Sequence, residues 1–429
     1  MNRKALAWLY EQLPDLVTKG VVPAETAERI RAFYGPLPEG MGRRILFIVF
    51  GLTGTLLVGL GIVMILGHNW DQLSRLTRLL ISLGLLATAQ VAAGLVLWRR
   101  ADSEAWREGT AVFLTLAVGT SIALVGQTYH LVDDFKNFLL IWMLLSVPLV
   151  YLMDVKGVAG MYLAGVMVWL VPVQPGGMTK QAAWVLLALI LPYCWRLFKT
   201  NRYANAAVIL AWLLVLSFYA CFSLTWDKHL WEILYASLFS ATFFTGLLWF
   251  GDTDKAWQKP FQAVGLLGGL GMAYYLSSGP WGGRVYHYGL YPLGRGEYLM
   301  GFGLFALAAG LAVLLARRGL ARFVPLGALP AVVAVGYLLQ DANNSGLLIT
   351  ILMNIYLLGI SVLVILQGVR EVRLGVLNSG MLMLVALILF RFFDYSYSFI
   401  ARGIAFTLIG LAFLAVNMMM ARRKNGVME

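Results

Sequence analysis

Residues 346–367 read GLLITILMNIYLLGISVLVILQ, with no charge and polar groups only at Thr350, Asn354, Tyr356, Ser361 and Gln367. At ~1.5 Å of rise per residue, a helix of this length covers the ~30 Å of hydrocarbon in a bilayer. Barrel strands would alternate in polarity over ~10 residues; this run does not alternate, so it reads as a helix. Thirteen more runs of the same kind share the chain with it. Together the spans fall at 45–67, 77–98, 109–130, 137–153, 157–173, 180–198, 203–225, 230–250, 260–279, 297–316, 323–339, 346–367, 373–393 and 398–420. Hydrophobic residues make up 60% of the chain and charged residues 13%, and the mean hydropathy is +0.78. That leaves too little polar surface to coat soluble domains. The expected fold class is all-α: a polytopic integral membrane protein with about 14 transmembrane helices and a short N-terminal cytoplasmic helical hairpin.

An even number of spans puts both termini on one side. The segments on that side, among them Arg43–Arg44, Arg99–Arg107, Arg196–Arg202, Arg317–Arg322 and Arg370–Arg373, hold 24 of the 33 basic residues. They also hold 13 of the 21 acidic ones, leaving a balance of +11 there and +1 on the other side. Cytoplasmic loops retain Lys and Arg, so this side is expected to be cytoplasmic. The net charge of +12 is then an orientation signal. The partner it implies is the lipid bilayer, and no nucleic-acid binding is expected.

Residues 1–42 read as an amphipathic helical hairpin and linker. Leu6, Leu9, Leu13, Leu16 and Val17 recur at helical spacing, Gly20 ends the first helix, and Pro23 opens the second. Ile30, Phe33 and Tyr34 are expected to close against the first helix. The hairpin reads either as a pair packed on the membrane surface or as a partner-binding element. The remaining chain divides into a first transmembrane block (43–173), a middle block (174–296) with a long outer loop at 280–296, and a C-terminal block (297–429). Residues 1–44 lack the early apolar core of a cleavable signal, so the first span is expected to act as an uncleaved anchor. Cys194 and Cys221 fall near opposite faces and are not expected to pair.

The polar chemistry gathers at the non-cytoplasmic ends of the spans. The first span ends in His68-Asn69-Trp70-Asp71; the third ends in Gly126-Gln127-Thr128-Tyr129-His130, followed by Asp133 and Asp134. The thirteenth ends in Arg391-Phe392-Phe393-Asp394-Tyr395, and Arg402 enters the fourteenth. Charges at the edge of hydrocarbon are costly unless paired or wet. Arg391, Asp394 and Arg402 therefore read either as a clamp locking the last hairpin or as a positive surface for a phosphate or carboxylate. His68, Gln127, Tyr129 and His130 read either as interfacial anchors or as hydrogen-bonding groups of a site, with no metal expected.

No Asp, Glu, Lys or Arg falls near the middle of any span, where Gln90, Thr115, Thr120, Ser121 and Asn354 are the main polar residues. That counts against a carboxylate-driven proton transporter. Phosphate-binding-loop, HExxH and GxSxG signatures are absent from the sequence. The small-residue runs Gly265–Gly271 and Gly301-Phe302-Gly303 suit close helix packing. The first and last four spans share a loop plan, a faint internal echo that would place the two polar clusters around one cavity.

Gly59-Leu60-Gly61 running into His68-Asn69-Trp70, then GQTYH at 126–130 and Trp142, resembles domain of unknown function 2157, a family of bacterial membrane proteins. The resemblance covers roughly residues 1–170, including Trp8, Gly20 and the Pro23–Ile30 helix. RFFDYSYSFIARGIAF at 391–406, with Gly410 and Asn417, resembles domain of unknown function 4401 over about 300–425. Neither family carries a function across, so the resemblance implies bacterial origin and membrane class alone.

These readings lead to a multi-pass protein of the bacterial inner membrane with both termini cytoplasmic. The foremost functional expectation is a transporter or flippase-like protein for an amphiphilic or anionic envelope molecule, using an outward-open polar cavity. Arg391 and Arg402 would hold the anion, with His68, Asn69, Trp70, Gln127, Tyr129, His130 and Asp394 around it. A non-catalytic scaffold binding a membrane or periplasmic partner is the second reading. An integral-membrane transferase or hydrolase using Asp71, Asp133 or Asp134 with His130 is the third. No cofactor is expected.

Overall fold

The structure is a computed structural model; it describes residues 3–34, 57, 73–129, 134–171, 179–225, 230–278, 295–338, 347–392 and six positions between 400 and 411. The chain forms two compact units, Met1–Leu83 and Gly84–Glu429. In the first unit, α1 (Arg3–Thr18) and α2 (Ala24–Tyr34) form the hairpin. Gly20, at φ +70°, lets Val21 N–H reach Leu16 O and its own N–H reach Val17 O, a Schellman turn that closes α1's last carbonyls. Leu13 and Ala27 are buried in the pair, and the Tyr10 hydroxyl donates to Arg31 O at 3.3 Å. Phe33, expected to close the hairpin, is 83% exposed instead.

The helices that follow are α3 (Arg75–Arg99), α4 (Glu104–Tyr129), α5 (Phe135–Met153), α6 (Lys156–Leu170), α7 (Thr179–Asn201) and α8 (Asn205–Thr225). Next come α9 (Trp231–Trp249), α10 (Pro260–Ser277), α11 (Arg295–Arg317), α12 (Leu329–Leu338), α13 (Leu347–Arg370) and α14 (Leu374–Phe392). These account for the second to the thirteenth expected spans. The first and the fourteenth lie almost wholly outside the described residues. Eight of the helices are long and apolar enough to cross a bilayer, and the chain is a multi-pass membrane protein.

In the second unit, one core gathers residues 85–93 of α3 with α4 to α8 around Tyr162, Leu163, Trp169 and Tyr193. A second joins α9, α10, α12, α13 and α14 around Tyr274, Leu329, Val333 and Met353. Close approach in the second core depends on α10. A Cβ on Gly265 would sit 2.4 Å from Phe243 N, and one on Gly268 would sit 2.1 Å from the Phe239 ring. Small residues let backbones meet this way where lipid supplies no hydrophobic drive between helices. Gly301 and Gly303, expected to act alike, make no such approach.

The eleventh span departs from the expected continuous helix. A 3-10 turn, Ala321–Gly327, meets α12 at a 51° bend. Pro325 and Pro330 remove backbone donors here, which frees carbonyls that hydrocarbon cannot satisfy. The Tyr356 hydroxyl of α13 reaches Leu326 O, whose helical donor would be the N–H that Pro330 lacks, at 3.1 Å, and also Pro325 O, which accepts from Ala328 N–H as well, at 3.0 Å.

The described loops of the Lys/Arg-rich side meet at one end of the bundle. Lys156 pairs with Glu104, Arg196 with Asp154 at 2.7 Å, and Arg322 with Glu371 at 2.5 Å. Arg202 donates to Trp249 O at 2.6 Å, and Gln258 donates to Tyr203 O at 3.1 Å. One of these links is built from two adjacent residues of α4. Arg107 donates to Met153 O at the C-terminus of α5, while Glu108 accepts from Lys156 N at 2.6 Å and Gly157 N at 2.9 Å at the N-terminus of α6. Cation at a carbonyl end and anion at an amide end match both helix dipoles. The turn between them is tight enough to hold Asp154 at φ 52°.

Glu108→Ala should leave the first α6 amides without their acceptor and cost about 1–2 kcal/mol. Glu104→Ala, which removes an exposed ion pair, should cost under ~1 kcal/mol. Thermal unfolding of the two variants in detergent tests the order; equal shifts would remove the capping role.

Candidate functional site

Of the residues expected to form the site, Gln127 and Tyr129 lie exposed in the last turn of α4, at the end opposite the charged loops. Arg391 has its backbone in the last turn of α14. His68, Asn69, Trp70, His130, Asp394 and Arg402 lie outside the described residues, as do Asp71 and Asp133. Asp134 caps α5, accepting from Lys136 N at 2.9 Å. That carboxylate is engaged in holding a helix terminus.

The same end of the bundle carries a lateral cleft of about 370 Å³ between α4, α5 and α6. It begins at Phe135 and Phe138, passes Trp142 and Met143, and ends at Ser146, with Met161, Ala164, Gly165 and Val168 forming the α6 wall. From Phe135 to Ser146 a helix advances ~16 Å, about half the hydrocarbon thickness. The cleft is apolar, unlike the polar cavity expected from sequence, because its hydroxyls are occupied. Thr115 Oγ1 donates to Ala111 O at 2.8 Å, Ser146 Oγ to Trp142 O at 2.7 Å, and the Tyr162 hydroxyl to Leu186 O at 2.7 Å. Its floor is set by Trp142, whose indole N–H donates to Thr115 O at 2.7 Å while the ring lies across Gly119. Lys136, next in the chain to Phe135, holds its ammonium 5.0 Å from the Trp169 ring centre. An apolar slot of this kind suits a hydrocarbon tail.

A second polar arrangement at this end went unread in the sequence. Glu232, in the first turn of α9, is 2% exposed, and the Tyr337 hydroxyl at the end of α12 donates to its Oε2 at 2.7 Å. Its Oε1 is buried with no hydrogen-bond partner among the described residues. Asn354, a mid-span polar residue in the sequence, donates to Ser277 O at the end of α10 at 3.3 Å and to Thr350 O at 2.6 Å. Trp231 meets Tyr275 edge-on at 5.7 Å, which ties the start of α9 to the end of α10. The signal for Glu232 was its isolation, the one acid in an otherwise uncharged run from 230 to 250.

Residues 14–159 match the model of a family described as "Predicted membrane protein (DUF2157)". The match runs from α1 to the start of α6 and takes in Thr115, Gly119, the 126–130 cluster and the α5 wall of the cleft. It does not extend to the C-terminal stretch that resembles domain of unknown function 4401. No curated protein and no solved structure matches the chain.

A methyl group on Gly119 would lie 2.7 Å from the Trp142 ring. Gly119→Ala should therefore displace the indole, break its bond to Thr115 O and cost about 1–3 kcal/mol. In a Trp142→Phe background the same change should cost less, because the smaller ring has no N–H to lose. Unfolding of the full cycle in detergent measures the coupling; strict additivity would mean the two positions do not touch. Tyr337→Phe should cost about 1–3 kcal/mol by leaving the Glu232 carboxyl without its donor. Adding Glu232→Met should recover most of that loss, and a double variant as unstable as Tyr337→Phe alone would deny the pairing.

Proposed function

We propose that this chain is a bacterial inner-membrane protein with cytoplasmic termini. It passes or presents an amphiphilic envelope molecule through the lateral cleft of α4, α5 and α6. The observation that carries the reading is the cleft itself: an opening of about 370 Å³ whose polar groups are consumed internally, so that a hydrocarbon tail is the occupant its lining favours. The Lys/Arg-rich end of the bundle is taken as cytoplasmic by the retention of basic loops, which turns the cleft toward the periplasmic leaflet. Gln127 and Tyr129 stand at that end for hydrogen bonds to a head group. His68, Asn69, Trp70 and His130 are assigned with them, and Arg391 and Arg402 are assigned to an anionic head with Asp394 between them. Asp134 supports a catalytic reading poorly, because its side chain caps a helix.

Reconstitution into vesicles carrying tail-labelled phosphatidylglycerol tests the transport reading. Wild-type protein should speed quenching of inner-leaflet label by external dithionite well above protein-free vesicles. Ala164→Phe, which fills the cleft wall, should slow it about tenfold, equivalent to ~1.4 kcal/mol of barrier. Arg391→Ala should slow it while leaving folded protein. If wild-type vesicles match protein-free ones, the scaffold reading replaces transport.

A further inference from the structure

The charged end of the bundle carries a second cleft, of about 150 Å³, between the last turns of α7 and the end of α9. Its walls are Trp195, Phe198, Trp249 and Phe250, and its cations are Lys199 and Arg202. The aromatic side is preassembled: Trp195 meets Trp249 at 5.2 Å, and Phe198 meets Phe250 edge-on at 5.9 Å. The cations are held over it. Lys199 Nζ stands 5.1 Å from the Trp195 ring centre, and Arg202 is pinned by one donor to Trp249 O at 2.6 Å.

Two features mark this spot: cations without an ion pair among the described residues, and half-exposed aromatic walls beside them. Neighbouring cations are neutralised, Arg196 by Asp154 and Lys156 by Glu104. Lys199 and Arg202 make no ion pair among the described residues. The acidic residues that follow Phe250, Asp252 and Asp254, are exposed. The walls also face outward, with Trp195 and Trp249 each 47% exposed, at the ends of two membrane-length apolar helices. Half-exposed tryptophans at such a level lie among lipid head groups, where a free pair of cations meets phosphate.

We propose that this cleft is a binding site for an anionic phospholipid of the leaflet facing the basic loops. The lipid phosphate sits between Lys199 and Arg202, and its glycerol and upper acyl carbons lie against Trp195 and Trp249. The guanidinium supplies a donor fork and the ammonium a point charge, a combination suited to a phosphodiester. The volume admits a head group and excludes a whole lipid, so the tails stay in the bilayer. The site is separate from the cleft of α4, α5 and α6 and does not depend on the function proposed for it.

Native mass spectrometry of the full chain, titrated with phosphatidylglycerol and phosphatidylcholine, tests the assignment. Wild-type protein should retain phosphatidylglycerol in preference. Lys199→Gln should weaken that preference about fivefold, the effect of ~1 kcal/mol for one interfacial cation, and Lys199→Gln with Arg202→Gln should abolish it. Lys199→Gln keeps the test sound if loss of the Arg202 bond harms folding, because Lys199 caps no backbone group among the described residues. Arg317→Gln with Arg318→Gln removes the same charge elsewhere on this end and should leave the preference intact. Equal loss in that control would show diffuse attraction to the basic end, and full retention in Lys199→Gln would remove the site. Inorganic phosphate at millimolar concentration should not displace the lipid; displacement would overturn the lipid assignment in favour of a free-anion site.

Discussion

Hydrocarbon forbids unpaired backbone and isolated charge, and the structure is arranged around that prohibition. The Arg107–Glu108 pair shows how the bundle answers it. Two adjacent residues of one helix satisfy the carbonyl end of α5 and the amide end of α6, and so fix a turn of a few residues between two membrane helices. Carbonyls at the end of α9 are met in a similar way. Arg202 caps α9 at Trp249 O, and Gln262 reaches Gly246 O at 3.0 Å from α10. Charge is thereby confined to helix ends, and the helices between are free to be apolar on all sides.

Inside the bundle the same rule governs the irregular places. The bend before α12 is tolerated because Tyr356 supplies the hydroxyl its broken backbone needs. Glu232 is kept buried with the Tyr337 hydroxyl as a donor, at the far end of that same bent segment. A buried carboxyl with one vacant oxygen is costly unless compensated. Its placement beside the one described broken span joins the two most strained features of the second core. The first core has its own: the Tyr193 hydroxyl is buried with no hydrogen-bond partner among the described residues, and Trp142 is laid across Gly119.

Much of this was legible in the sequence. Length and polarity marked the twelve helical segments from 77 to 393, eight of them long and apolar enough to cross a bilayer, because transfer into lipid depends on composition. Charge bias grouped the loops because the energetic rule is equally local. The bend in the eleventh span was readable in Pro325 and Pro330, yet a hydropathy pattern does not register lost donors. Gly265 and Gly301 look alike in sequence and differ in structure, since only the first faces a neighbouring backbone. The clefts were illegible for the same reason: which faces meet is decided by packing between α4, α5 and α6, and no single helix encodes it. Thr115, read as a mid-span polar residue, turns out to hold the Trp142 indole through its carbonyl. The polar cavity expected around His68, Gln127, Tyr129, His130, Arg391 and Arg402 falls largely outside the described residues, and the cleft that is described is apolar.

The sorting of charge to one end is the claim on which orientation, cleft and head-group site all rest, and thiol accessibility measures it directly. With Cys194 and Cys221 replaced by alanine, single cysteines at Gln127 and Asp102 are treated with a membrane-impermeant maleimide in right-side-out vesicles. The account predicts that position 127 reacts in intact vesicles and position 102 only after permeabilisation. Reaction of both from the same side would contradict it.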